Sequence, residues 1–427
     1  MSALKSWDIF CKIVDNFGDI GVCWRLARQL QAGHGLQIRL WVNDLEAAQK
    51  IIPSLNVAEN SQVCDDITIL KWPSIDEGEA DFSQAAEVVI EAFSCELPPA
   101  YLAAMVRQQS KWLNLEYLSA ETWVEDFHAK PSPQTNGLTR HFYFPGFTEA
   151  TGGLIRESDI FQSNHKLRHS DESRNPGSLK SLDSDFRRND EGGLKVSLFC
   201  YPQAPINALL DVMAQSTQVI NCHVPASSIL PQIAEFFDVE AIGVGDYFTR
   251  ENLHVHILPF LSQLDYDQLL RDCDLNFVRG EDSWIRAIWA GKPFIWLPYF
   301  QDESTHIKKL DAFLELFYAD FECVKNNSTA NQTLKQPSFP RREESSSAAK
   351  NKIDSRLRGN DGIVAYDPFN SVTNIHHAWV AGTMTTAIWQ NYLDNLSAIK
   401  SHTQQQSSKL QKQTDLASKL VIFCNNI

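Results

Sequence analysis

The 427-residue chain has no apolar run near the ~18 residues a membrane-spanning helix needs, and its N-terminus lacks a basic region followed by a long apolar core. Both absences argue against a membrane and set the expectation of a cytoplasmic protein. The nine cysteines are odd in number and form no C-x-x-C pair, which fits neither a disulfide framework nor a zinc site. They read as reduced core filler. No H-E-x-x-H or metal-spaced His/Asp cluster accompanies the loops of the second half, so a reaction without metal or other cofactor is expected. No G-x-S-x-G or Cys/His signature marks a covalent nucleophile. Positive charge is also scarce: 38 Lys and Arg face 53 Asp and Glu, a formal net charge of −15. Such a surface repels a phosphate backbone, excludes general nucleic-acid binding and suits a basic protein partner.

What is present is a double series of alternating strands and helices. A hydrophobic content of 43% over this length supports two α/β domains. In the first half, Ile9 to Val14 is apolar apart from Lys12 and reads as a strand covered on both faces. Helical spacing follows from Val22 to Leu30, then strands at 38–42, 65–72, 88–93 and 112–118 alternate with helices at 44–52 and 98–109. The second series runs from Leu194 through strands at 195–200, 218–224, 254–258, 275–278 and 293–297. Its helices are expected at 205–215, 227–237, 264–273, 282–290 and 303–317. The expectation is two facing, doubly wound, Rossmann-like domains, residues 1–160 and residues 194–330 with 363–371, around an interdomain cleft. A helix within 372–400 is expected to pack back on the first domain, and residues 401–427 to form a weakly structured tail.

Two polar stretches, 163–193 and 331–362, break the alternation. They resemble each other, ending Leu182-Asp-Ser-Asp-Phe-Arg-Arg-Asn-Asp190 and Ile353-Asp-Ser-Arg-Leu-Arg-Gly-Asn-Asp361. Neither has room for a core of its own, so they read as a duplicated insertion in tolerant loops, where closure entropy rises only slowly with length.

Chemistry concentrates at three turns. Asp15-Asn16-Phe17-Gly18-Asp19 joins the first strand to its helix. It lacks the G-x-G-x-x-G order, and two carboxylates would repel a pyrophosphate, so this turn suits proton transfer better than phosphate binding. The alternative is that Asp19 caps the helix and Asp15 orders the turn. Arg279-Gly280-Glu281-Asp282-Ser283 sits between a strand and a helix, where helix-start amides, Ser283 and Arg279 could bind a diphosphate. The carboxylates there could hold sugar hydroxyls, or Asp282 or Ser283 could simply be an N-cap. A third cluster, Tyr299 to His306, follows the adjacent strand, and Phe199, Tyr201, Phe260 and Tyr266 lie near strand ends where a nucleobase could stack.

Three strings, Trp7 to Cys11 continuing through Val14 to Arg28, Asp274 to Ser283, and Gln301-Asp302-Glu303, resemble the elongation factor P arginine rhamnosyltransferases (EarP), which are similar to GT-B glycosyltransferases. The likeness covers most of the chain outside the two insertions and the tail. It implies inverting transfer of L-rhamnose from dTDP-β-L-rhamnose to an arginine of elongation factor P. It makes Asp19 the general base, Asp15 its partner, and Asn16, Phe17 and Gly18 the acceptor-side turn. The donor site it implies comprises Phe199, Tyr201, Phe260, Gln263, Tyr266, Arg279, Glu281, Asp282, Ser283, Gln301, Asp302 and Glu303. Competing expectations are a sugar-nucleotide binding protein without transfer activity, and a GT-B transferase with a small-molecule acceptor.

Overall fold

The computed structural model describes residues 5–14, 17–72, 82–161, 192–301, 304–321 and 368–427. Asp15, Asn16, Asp302, Glu303 and nearly all of both insertions lie outside the described residues.

The first half builds β1 (Ser6–Cys11), α1 (Gly18–His34), β2 (Gln37–Val42), α2 (Leu45–Ile51), β3 (Ser61–Cys64), β4 (Ile67–Lys71) and β5 (Val88–Ala92). It continues with α3 (Pro99–Gln108), β6 (Lys111–Leu115), α4 (Trp123–Phe127), β7 (Pro131–Pro133) and β8 (Thr139–Tyr143). The sheet order is β3-β4-β2-β1-β5-β6-β8-β7. Its six inner strands are parallel, while β3 and β7 are antiparallel edges. Alternation explains the two faces of β1. Trp7, Ile9 and Cys11 pack with α1, whereas Phe10 packs with Trp41, Tyr101 and Met105 under α3.

The second half builds β9 (Leu194–Leu198), α5 (Ile206–Ala214), β10 (Ile220–Pro225), α6 (Leu230–Phe237), β11 (Tyr247–Arg250) and β12 (Leu253–Leu258). Then come α7 (Gln263–Asp272), β13 (Leu275–Arg279), α8 (Asp282–Ala290), β14 (Phe294–Leu297) and α9 (Thr305–Phe317). The order is β11-β12-β10-β9-β13-β14, parallel except for the edge strand β11. The edge strands β3, β7 and β11 are too short and too polar to stand out by alternation, and the sequence reading did not include them.

The C-terminal region departs from expectation. Instead of one long helix, α10 (Pro368–Ala381) and α11 (Thr386–Asp394) are separated at Gly382, whose φ of +66° favours glycine. Val372, Trp379, Trp389 and Tyr392 bury themselves in the core of the second domain, not the first. The expected loose tail is two further helices, α12 (Leu396–Leu410) and α13 (Leu416–Asn426). It is α13 that crosses back: Leu416, Ala417, Leu420 and Cys424 join the core beside α1. Asp415 caps it, accepting the Ser418 N–H at 3.0 Å. Gln, Ser and Lys crowd the exposed face of α12, and its buried stripe of Ile399, His402, Thr403, Gln406, Ser407 and Leu410 is itself mostly polar, which hides it in the sequence.

The topology places the site. In the first sheet the strand order reverses around β1 and β5, and in the second around β9 and β13. Ligands of open α/β sheets bind at such switch points beyond the carboxyl ends of the strands. The turns after β1, β9 and β13 are the chemistry-bearing stretches 12–19, 199–201 and 279–283.

Candidate active site

Two adjoining cavities occupy the cleft, sharing Gly18, Gly280 and Glu281 in their walls. The larger encloses about 930 Å³ and is lined by Asp19, Phe93, Tyr117, Tyr201, Gln301 and Lys309 among others. The smaller encloses about 630 Å³ and gathers Phe17, Phe199, Phe260, Gln263, Tyr266, Arg279, Asp282 and Ser283.

Asp19 is the second residue of α1 and only 2% exposed. Phe17 is the N-cap and no side chain caps the helix. The Asp19 carboxylate instead reaches back and accepts the Val14 N–H at 2.8 Å, so it ties down the turn instead of serving as the N-cap. A carboxylate in the first turn also gains from the helix dipole. Phe17 meets Phe260 edge to face at 5.0 Å, and both rings line the smaller cavity.

The loop after β13 is shaped by Gly280, whose φ of +56° turns the chain sharply into α8. Its carbonyl accepts the Trp296 indole N–H at 2.8 Å. Arg279 is 6% exposed, and its guanidinium lies 4.5 Å from the Phe199 ring centre and 4.7 Å from that of Tyr201. Those two aromatics therefore hold the cation in place, and its Nη1 also donates to the Cys200 carbonyl at 3.3 Å. Ser283 spends its hydroxyl on the turn: it accepts the Arg279 N–H at 3.0 Å and donates to the Arg279 carbonyl. No side chain caps α8, whose first residues, Asp282 and Ser283, line the smaller cavity.

Glu281 spans the cleft, its Oε2 accepting the Leu118 N–H of the first domain at 3.1 Å. The Asp282 carboxylate accepts the Arg25 Nε–H at 2.6 Å. Burial raises the Asp282 carboxyl above its ordinary range, against the pull of Arg25 and Arg286. Gln263 donates from Nε2 to the Gly21 carbonyl of α1 at 3.1 Å. Its Oε1 is buried without a partner among the described residues. A buried polar atom of this kind calls for a partner, and Gln263 is one of the residues lining the smaller cavity. Burial also raises the Tyr266 phenol, which stays neutral.

The structure thus brings Phe199, Phe260, Gln263, Tyr266, Arg279, Asp282 and Ser283 to one cavity, and Tyr201 and Gln301 to the cavity of Asp19. Asp15, Asn16, Asp302 and Glu303 fall outside the described residues. Among the described residues no three His, Cys, Asp or Glu side chains converge as a metal site, and no helix is long and apolar enough to cross a membrane.

Several residues of the cleft were not singled out from the sequence. Phe93 and Tyr117 stack at 4.4 Å with their planes within 13°, and the Lys309 ammonium stands 5.8 Å from the Tyr117 ring. Their positions just beyond β5 and β6 were the available signal. The Phe93 backbone is left-handed, with φ +57°, a strained conformation of the kind that gathers near functional sites.

The model of the family described as "Elongation-Factor P (EF-P) rhamnosyltransferase EarP" matches residues 7–350 and 342–425. A protein-arginine rhamnosyltransferase of Pseudomonas aeruginosa is 44% identical over 318 residues, covering 74% of this chain and 82% of that protein. One of Pseudomonas putida is 46% identical over 311 residues, covering 72% and 80%. Among solved structures, one described as the structural basis for EarP-mediated arginine glycosylation of translation elongation factor EF-P superposes with a TM-score of 0.56 at 26% identity. It covers 99% of each chain.

Proposed function

Since the chain belongs to the EarP family and is a protein-arginine rhamnosyltransferase of GT-B architecture, we propose that it moves L-rhamnose from dTDP-β-L-rhamnose to an arginine of elongation factor P. In this reading the nucleotide occupies the smaller cavity and the sugar projects through the shared wall toward Asp19. The guanidinium of the acceptor enters from the larger cavity. The observation that carries the reading is the adjacency of the two cavities across Gly18, Gly280 and Glu281, one with a held cation, the other with a buried carboxylate.

The chemistry follows. A guanidinium nitrogen attacks C1 of the β-linked sugar from the face opposite the diphosphate. The N–C1 bond forms as the C1–O bond breaks, dTDP leaves with the electron pair, and the product is α-linked. A free arginine keeps its proton at neutral pH and is a poor nucleophile. Asp19 supplies what is missing: it orients the guanidinium by a charge-assisted hydrogen bond and accepts the proton as attack proceeds. Asp15 supports it in the same turn, as the family resemblance implies. Arg279 and the first-turn amides of α8 stabilise the charge developing on the leaving diphosphate. With those donors in place, no metal or other cofactor is called for, and chelation by EDTA should leave the rate unchanged. Gln263 Oε1 offers an acceptor to the nucleoside.

The test is to mix the purified chain with dTDP-β-L-rhamnose and elongation factor P and to weigh the factor. A gain of one deoxyhexose supports transfer. An unchanged mass with dTDP bound to the chain would favour a binding protein without activity.

A further inference from the structure

Behind the two cavities lies a buried cluster of five charges drawn from four segments. Arg25 of α1 donates to Asp282 of α8 at 2.6 Å, to both carboxylate oxygens of Asp267 in α7 at 3.0 and 3.2 Å, and to Glu157 of the interdomain segment at 3.4 Å. Arg286 of α8 meets the same Asp267 and Glu157. Arg25 is 2% exposed and Asp267 3%. Two guanidinium groups stand against three carboxylates, and Arg271 of α7 adds its charge toward Asp267, in a place where unpaired charge is costly.

Arg25 and Asp19 share α1, six residues or about 9 Å apart along the axis. Next to them, Gly21 faces Asp282 of α8 and Gln263 of α7. A Cβ on it would sit 3.4 Å from Asp282 Oδ2 and from Gln263 Nε2. The helix that carries the base is therefore pinned to the start of α8 by Arg25 and to the start of α7 by the Gln263 hydrogen bond.

We propose that Arg25 is a positioning residue for transfer, locking the helix of Asp19 to the diphosphate-binding start of α8 and neutralising Asp282 so that an anionic donor can settle there. The proposal rests on the reading that a nucleoside diphosphate sits at the start of α8. A bare Asp282 carboxylate in that wall would oppose a diphosphate, and the Nε of Arg25 removes the opposition without entering the cavity. Locking and neutralising separate by substitution. A lysine at this position keeps a positive charge but offers a compact ammonium that cannot engage three carboxylates at once.

The experiment measures dTDP affinity by calorimetry and turnover with elongation factor P on the full chain. R25M weakens dTDP binding by about tenfold or more, and R25M/D282N restores it to within about threefold of wild type. R25K holds dTDP within about threefold but lowers kcat by at least about tenfold. Loss of packing alone would not be repaired by removing a second member of the cluster. Wild-type affinity in R25M, or a double variant no better than R25M, overturns the neutralising role. Unchanged kcat in R25K overturns the locking role, and R25K carries the test if R25M does not fold. A wild-type chain that fails to bind dTDP overturns the donor reading and this proposal with it.

Discussion

Replacing Asp19 by asparagine isolates the proposed base from everything else that the residue does. The side chain is 2% exposed and accepts the Val14 N–H at 2.8 Å. An asparagine amide oxygen can accept the same bond, so the turn should persist at a cost of about 1 kcal/mol, the difference between a charge-assisted and a neutral hydrogen bond. What asparagine cannot do is take a proton. Loss of a positioned general base lowers the rate by about 10²- to 10⁴-fold, about 3 to 5 kcal/mol of barrier. The expected result for D19N is a fall of that size in kcat, a melting temperature close to wild type, and dTDP affinity within about threefold. D19A, which leaves the Val14 N–H without its acceptor, should lose activity and stability together. The assay is single-turnover transfer to elongation factor P, followed by mass, alongside calorimetry with dTDP. D19N retaining more than about a tenth of wild-type kcat would refute the base role. D19N that unfolds would return Asp19 to a purely structural one.

Arg279→Lys should weaken dTDP binding by about tenfold or more, because an ammonium does not stack between Phe199 and Tyr201 as the planar guanidinium does; unaltered affinity by calorimetry would contradict this. Glu157 gives a pH signature. Burial alone would raise its carboxyl, but Arg286 and Arg25 win and bring it down to about 2 from 4.5. Its folded value lies below the unfolded one, so its contribution of about 3 kcal/mol is complete above pH 4.5 and drains away as pH falls toward 2. Urea unfolding across that range should show the loss, and E157Q should flatten it. Truncation after Leu410 removes α13 with buried Leu416, Ala417, Leu420 and Cys424. This should cost about 5 kcal/mol, read as a lower denaturation midpoint or an insoluble chain; an unchanged midpoint would show that the helix is dispensable.

Apart from β8 (Thr139–Tyr143), which was not expected, the inner strands and the two turns that line the cavities were legible because apolar runs bounded by glycine and charge leave few alternatives at a parallel sheet. Asp19, Arg279 and Gly280 could be found for that reason. Arg25 could not: in sequence it is a charged residue within a helix, and only the approach of α7, α8 and the segment of Glu157 gives it three carboxylates. Tyr117 and Lys309 meet across the cleft from distant segments, which no local pattern records. The tail misled for a related reason. The polar face of α12 dominates its composition, and α13 is explained by the groove it fills beside α1 rather than by its own periodicity.

The account stands or falls on where the sugar goes. Fragmentation mass spectrometry of elongation factor P, recovered after reaction with dTDP-β-L-rhamnose and this chain, reads the position directly. One deoxyhexose on an arginine side chain is the expected result. A sugar on a serine, threonine or lysine, or none on the factor while dTDP-rhamnose is consumed, would contradict it.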